Sequence, residues 1–192
     1  SRNFSDQSLV IISTISKNGI DLNKWISTIN LGDYVINRYS NGSPTPTESW
    51  SLSGIIQSGQ AITIGNGQQD SVWVPSGAGY WSVPVTSSFY AACDLHCSGV
   101  YPTPFYFNGD DAITLEDVNS TASNPIIIDI VGKIDQDPGA AWTDDASAGY
   151  TDANGGTWWT KRQTLVRKPS VKNGVKINPI LLNCIFKFDL FF

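Results

Sequence analysis

The stretch DYVINRYS, residues 33–40, alternates side chain by side chain. Tyr34, Ile36 and Arg38 fall on one side of an extended chain, and Val35, Asn37 and Tyr39 on the other. A period of two marks a β-strand, because successive side chains of an extended backbone point to opposite faces. The same period, or an apolar run of strand length, recurs in SLVIISTIS (8–16), NKWISTIN (23–30), SWSLSG, QAITIGNG, FNGDDAITLED (107–117), NPIIIDIVG (124–132) and TWWTKRQTLVRKPSV. Asn18-Gly19 is a strong turn signal, so 8–30 reads as a hairpin or meander. NPIIIDIVG, the most apolar run, reads as a buried strand. Neither a heptad pattern nor a long amphipathic helical pattern is present. Many short strands separated by turn residues predict a sandwich or a barrel.

A length of 192 residues suits one domain, and a hydrophobic fraction of 41% with seven Trp can fill a core. Charged residues make up only 15%, and Ser, Thr, Asn and Gly take their place, as in strand-rich extracellular chains. The net charge of −5 argues against a general nucleic-acid binder, which carries a basic footprint. The charge is uneven, however. Seven of the twelve Lys and Arg lie from Lys161 onward, and eleven of the seventeen acids lie between Asp94 and Asp152. Arg167 and Lys168 in the basic run could meet an anionic polymer, a nucleic acid or a glycan; the alternative is a solvated face near a terminus. The absence of Met leads us to expect a mature form or a fragment, placed outside the cell or at its surface after signal-peptide removal. No window is long and apolar enough for a membrane span. The tail 179–192, ILLNCIFKFDLFF with the preceding Pro179, reads as a final strand in need of a partner surface or as an end distorted by truncation.

Residues 66–104 are the least regular part and read as a long loop insertion, with Phe89–Cys93 a short helix or strand. Within it, Cys93 and Cys97 bracket His96 in CDLHCSG. That spacing allows a small disulfide-closed turn; two thiols are the alternative, and a zinc site would need a fourth ligand that only the distant Cys184 could supply. His96, the single histidine, leaves one base for a Ser-His-Asp triad, and no nucleophile elbow, phosphate loop or dinucleotide fingerprint accompanies it.

The adjacent acids Asp110 and Asp111 pose the sharpest question. A hydrolytic pair must aim both carboxylates at one substrate, and strand neighbours point apart. Turn capping through Asn108-Gly109 is the better reading, with a hard cation such as calcium the alternative. The loop 135–152 adds Asp135, Asp137, Asp144, Asp145 and Asp152, each beside turn-formers and without the spacing of a twelve-residue calcium loop. Asp110, Asp111, Asp135 and Asp137 are therefore the calcium candidates, and no other cofactor is expected. The aromatic residues Trp73, Tyr80, Trp81, Tyr90, Tyr101, Tyr106, Trp142, Trp158 and Trp159 sit mostly in loop-rich stretches. Exposed, they could stack on sugars or anchor a protein partner, with Trp81 and Trp142 the leading ligand-binding candidates; covered, they would close the ends of the sheets. Trp25 and Trp50 have strand contexts and read as core.

Three pieces in order, Asn108-Gly109-Asp110-Asp111-Ala112, then Ile127-Asp129-Val131-Gly132 leading to Asp137-Pro138-Gly139, then Leu165-Val166-Arg167-Lys168, resemble the lamin-tail domain family in its bacterial secreted branch. The resemblance covers residues 8–178. It implies an all-β, immunoglobulin-like β-sandwich with no catalytic machinery of its own, an accessory module for interaction or attachment on an exported protein. Its partners would be other domains of the same polypeptide, surface proteins, or a glycan or nucleic acid. The rival reading is a fragment of a secreted nuclease or hydrolase whose catalytic domain lies outside this chain. The chain departs from the family where Thr14 and Ser27 replace acids in the first two strands.

Overall fold

The alternation is realised as strands. In the computed structural model the described residues are 9–13, 28–57, 60–75, 77–98, 101–168, 170–171, 173–180 and 188–191. Among them run β1 (Leu9–Ser13), β2 (Ile29–Asn30), β3 (Tyr34–Tyr39), β4 (Glu48–Ser51), β5 (Ile55–Ile56), β6 (Ala61–Asn66), β7 (Val72–Val74) and β8 (Tyr80–Ser82). The helix α1 (Ser87–Ala91) follows, then β9 (Leu95–Cys97), β10 (Ala112–Asp117), β11 (Ile127–Val131), β12 (Thr164–Arg167) and β13 (Phe188–Phe191). The fold is all-β, with helix among the described residues confined to α1 and isolated 3-10 turns. The Asn18-Gly19 turn, Thr14, Trp25, Ser27 and Cys184 lie outside the described residues. Where the sequence reads as one domain over 8–178, the described residues fall into two compact units, one within Ser1–Leu31 and Ser53–Tyr106, the other within Gly32–Leu52 and Phe107–Phe192.

The second unit is built on a four-stranded antiparallel sheet in the order β11-β10-β3-β4. Its register lines up Glu116, Val35 and Ser51 in one row and Thr114, Asn37 and Ser49 in the next. β3 and β10 occupy the two central positions, and β3 is half-buried or buried along its whole length. β10 has the expected period, yet its burial favours the polar face: Ala112, Thr114 and Glu116 are buried, while Ile113 and Leu115 are only half-buried. Tyr39, Ala112, Ile127, Ile130 and Ile134 form one apolar cluster with Val175 packed against it. Trp142 and Tyr150 form a second, flanked by Trp159 and Val175. Part of the apolar tail is indeed a strand, since β13 pairs antiparallel with β12.

In the first unit β6 is the central strand, antiparallel to β1 and parallel to β9. Parallel neighbours need a crossover. Here that crossover includes the β7–β8 hairpin and α1, so the described part of 66–104 carries strands and a helix where the sequence reads as a long loop. Thr86 caps α1, its hydroxyl oxygen accepting the Phe89 amide at 3.2 Å. The expected Cys93–Cys97 disulfide is not formed; both residues are buried thiols. The two residues are placed differently: Cys97 ends β9, which is paired with β6, whereas Cys93 lies in the turn that follows α1. The Cys93 thiol instead lies 3.5 Å from the Phe89 carbonyl.

Candidate functional site

The Asp110-Asp111 pair sits just ahead of β10, and both residues are buried. They do not converge on a common point in solvent. Asp111 accepts the Asn41 amide at 3.1 Å, lies 3.9 Å from the Arg38 guanidinium, and offers its main-chain carbonyl to the Trp142 indole at 3.0 Å. Asp110 accepts the Asn108 side-chain amide at 3.2 Å, and its Oδ1 is buried with no hydrogen-bond partner. Burial pushes the Asp111 carboxyl up to about 6 against the pull of Arg38. Burial also raises the Asp110 carboxyl, with the Asn108 hydrogen bond opposing and the Asp137 charge adding to the shift. Arg38 is the hub of this cluster: its Nε donates to Glu48 at 2.7 Å, and Glu48 also accepts from Thr47 at 2.6 Å. These hydrogen bonds hold the Glu48 carboxyl below its usual range even though burial pulls it up.

Four acids of the 135–152 loop, Asp137, Asp144, Asp145 and Asp152, answer backbone amides of their own loops. Asp137 accepts the Gly139 amide at 2.8 Å, Asp144 the Thr157 amide at 2.7 Å and Asp152 the Ala140 amide at 2.8 Å. Asp145 caps a 3-10 turn through the Ser147 and Ala148 amides at 2.9 and 3.2 Å. Asp135 is exposed, with its backbone at φ 64°. Among the described residues no group of three or more His, Cys, Asp and Glu is placed to hold a metal ion.

Trp142, a ligand-binding candidate if exposed, is fully buried at 0% exposure, which leaves it the covered role that the sequence offers as the alternative. Its seat depends on Gly132, at φ 83°, where a Cβ would come 2.7 Å from the indole nitrogen. Trp50 is half-buried. In the basic stretch the Arg167 guanidinium is paired with Asp129, and Lys161 lies over the Trp158 ring, 5.0 Å from its centroid. Lys168 is half-buried. The run is thus partly engaged within its own unit. His96 stacks on Tyr90 with centroids 3.7 Å apart, its Nε2 2.7 Å from the Tyr90 carbonyl. Asp94 accepts the Thr63 amide at 2.7 Å. Both contacts give His96 and its acidic neighbour local structural roles.

Trp81, for which the sequence leaves exposure and coverage of a sheet end both open, is at the surface. Cross-strand pairing sets Trp73 opposite Trp81 on the β7–β8 hairpin. The period of two sends Val74 and Ser82 into the protein and leaves Trp73 at 49% and Trp81 at 61% exposure. The two rings meet edge to face, with centroids 5.4 Å apart at 64°. Gly79, at φ 73°, leaves room for the Trp73 ring, which a Cβ there would strike. The hairpin is fixed from behind by a buried amide that the sequence did not single out. Gln68 donates to the Ser82 carbonyl at 3.0 Å and the Asp70 carbonyl at 2.8 Å, and accepts from the Ser82 hydroxyl at 3.0 Å. Tyr80, paired with Val74 on the other face of the hairpin, places its hydroxyl 3.0 Å from that of Tyr101, whose ring packs against Tyr106. The two indoles thus stand exposed on a hairpin that is held in place from its other face.

Comparison with known proteins yields no matching family model, no matching curated protein and no matching solved structure.

Proposed function

We propose that this chain is a non-catalytic interaction or attachment module of a secreted or cell-surface bacterial protein, and that it attaches through Trp73 and Trp81. The observation that carries the reading is the hairpin itself: one face locked by Gln68 and Val74, the other presenting paired indoles to solvent. The ordered motif trio supports placing the fold with the immunoglobulin-like sandwiches of lamin-tail type, and the antiparallel four-stranded sheet is compatible with it. An indole can stack on a sugar ring or fill a pocket in a protein, and both ligands occur on bacterial surfaces. Polyanion binding through the basic stretch is the weaker reading, because Arg167 is already paired with Asp129.

Co-sedimentation of the chain with insoluble bacterial cell wall tests the proposal. The wild-type chain is expected to pellet with the wall. The double variant Trp73→Ala/Trp81→Ala, altered only on the exposed face, is expected to keep its melting temperature and bind about tenfold or more weakly. Retention that survives protease treatment of the wall identifies a glycan, and retention lost with it a wall protein. Unchanged retention of the double variant, or no retention of the wild type on either form of wall, overturns the proposal.

A further inference from the structure

The second unit carries a pocket that the reading above does not use. It opens on the sheet face that holds Val35, Asn37, Ser49, Ser51 and Glu116, and has a volume of about 200 Å³. The register explains its composition. Glu116, Val35 and Ser51 form one row of the face, and Asn37 with Ser49 belongs to the next. Toward Ala112 and Tyr39 the same face closes into the apolar cluster; at the other end it stays polar and open.

Two groups there are unusual. Glu116 is 1% exposed, and its Oε1 accepts from the Tyr39 hydroxyl at 2.7 Å and the Thr114 hydroxyl at 2.5 Å. Burial and this neighbouring carboxylate hold the Tyr39 phenol protonated, well above its ordinary range. Two hydroxyls satisfy hydrogen-bonding capacity but supply no positive charge. Among the described residues no cation pairs with Glu116; the nearest arginine along the sheet, Arg38, points to the opposite face and is bound to Glu48 and Asp111. Asn37 is 4% exposed, and its Oδ1 has no hydrogen-bond partner. A carboxylate removed from water without a counter-charge, beside an unanswered amide oxygen, is costly to keep. Both groups line the same pocket.

We propose that this pocket binds a primary ammonium group. A –NH3+ head has three donors and no acceptor, so it answers Glu116 and Asn37 Oδ1 together, with the Ser49 and Ser51 hydroxyls at the rim completing its shell. The pocket is smaller than the ~300 Å³ lower bound of sites for drug-sized ligands, which suits the tip of an alkylammonium chain rather than a whole metabolite. Val35 and Val118 offer apolar walls for the methylenes that precede the nitrogen. The ammonium could be a lysine side chain of a protein or a free alkylamine.

Titration of the 15N-labelled full chain at constant ionic strength tests this. Nα-acetyl-lysine N-methylamide serves as the probe for a lysine side chain and putrescine for a free amine. Saturable shifts are expected at the Asn37 side-chain amide and at the Glu116 and Ser49 backbone amides with at least one probe, and the tighter probe identifies the source. Norleucine amide blocked at its nitrogen, which matches the lysine probe without its charge, is expected to produce none. Glu116→Gln removes the charge, and Ser49→Trp plugs the mouth from an exposed strand position without touching Glu116. Each is expected to weaken binding at least tenfold; the second variant decides the matter if the first is unfolded. Absence of saturable shifts with both ammonium probes, equal binding of the neutral probe, or undiminished binding by Ser49→Trp overturns the proposal.

Discussion

Replacing Trp142 with alanine is expected to unfold the second unit or leave it close to its melting point. Truncating a fully buried aromatic costs about 3–5 kcal/mol in lost transfer energy and cavity formation. A second loss adds to the first. The indole N–H is the donor to the Asp111 carbonyl, and a buried acceptor left without its donor costs roughly 1–3 kcal/mol. Against a typical domain stability of about 5–15 kcal/mol, the sum removes most of the margin. Trp142→Phe is expected to fall between, keeping an aromatic ring but losing the donor. Urea unfolding followed by near-ultraviolet circular dichroism reads both effects. A loss under about 1 kcal/mol in the alanine variant would show that Trp142 does not organise the unit.

Arg38→Ala is expected to be nearly as severe, and its penalty should depend on pH. Arg38 lies between Glu48 and Asp111 with little exposure of any of the three side chains. Breaking a buried pair by removing one partner costs about 3–5 kcal/mol, because the surviving charge stays in a poor solvent. The direction with pH follows from the carboxyls. For Asp111 the folded-state value is already raised, to about 6, so its contribution is fully present below the ordinary value of 3.8 and is lost as pH rises through 6. Glu48 runs the other way: its value is depressed, so its contribution is present above 4.5 and lost as pH falls through the depressed value. Without Arg38 its pull on both disappears; Asp111 rises further, and Glu48 rises too, held down only by the Thr47 and Ser40 hydroxyls. The difference in melting temperature between wild type and Arg38→Ala should therefore be largest near neutral pH and shrink on acidification from pH 7 to 4. A difference that does not change with pH would mean that the arginine acts through packing alone.

Much of this was legible in the sequence where the local pattern and the tertiary outcome agree. DYVINRYS, FNGDDAITLED and NPIIIDIVG became β3, β10 and β11, because alternation and β-branched content specify a strand wherever a sheet receives it. The turn roles of Asp137, Asp144, Asp145 and Asp152 were readable for the same reason, since short acidic side chains beside Gly and Pro answer nearby amides. Long-range placement was not readable. Trp142 lies among Gly, Ala and Asp and looks like a loop residue; its burial depends on Gly132 and the Asp111 carbonyl, ten and thirty-one positions away. The three-residue strands β7, β8 and β9 are too short for periodicity to register, and the parallel β6–β9 pairing that holds Cys97 is invisible locally. Glu116 reads as the solvent side of an alternating strand. It is buried against the Tyr39 and Thr114 hydroxyls, and the Tyr39 contact, seventy-seven positions away, is one that no feature of TLED reveals.

The claim beneath all of this is that the buried acids hold the backbone and each other in place and break no bonds. Incubation of the full chain with DNA and with RNA, in magnesium, calcium and manganese, tests it most directly. Hydrolysis is expected to stay at the level of buffer alone, with Asp110→Ala indistinguishable from wild type. Turnover by the wild-type chain that disappears in Asp110→Ala, while the variant remains folded, would contradict it.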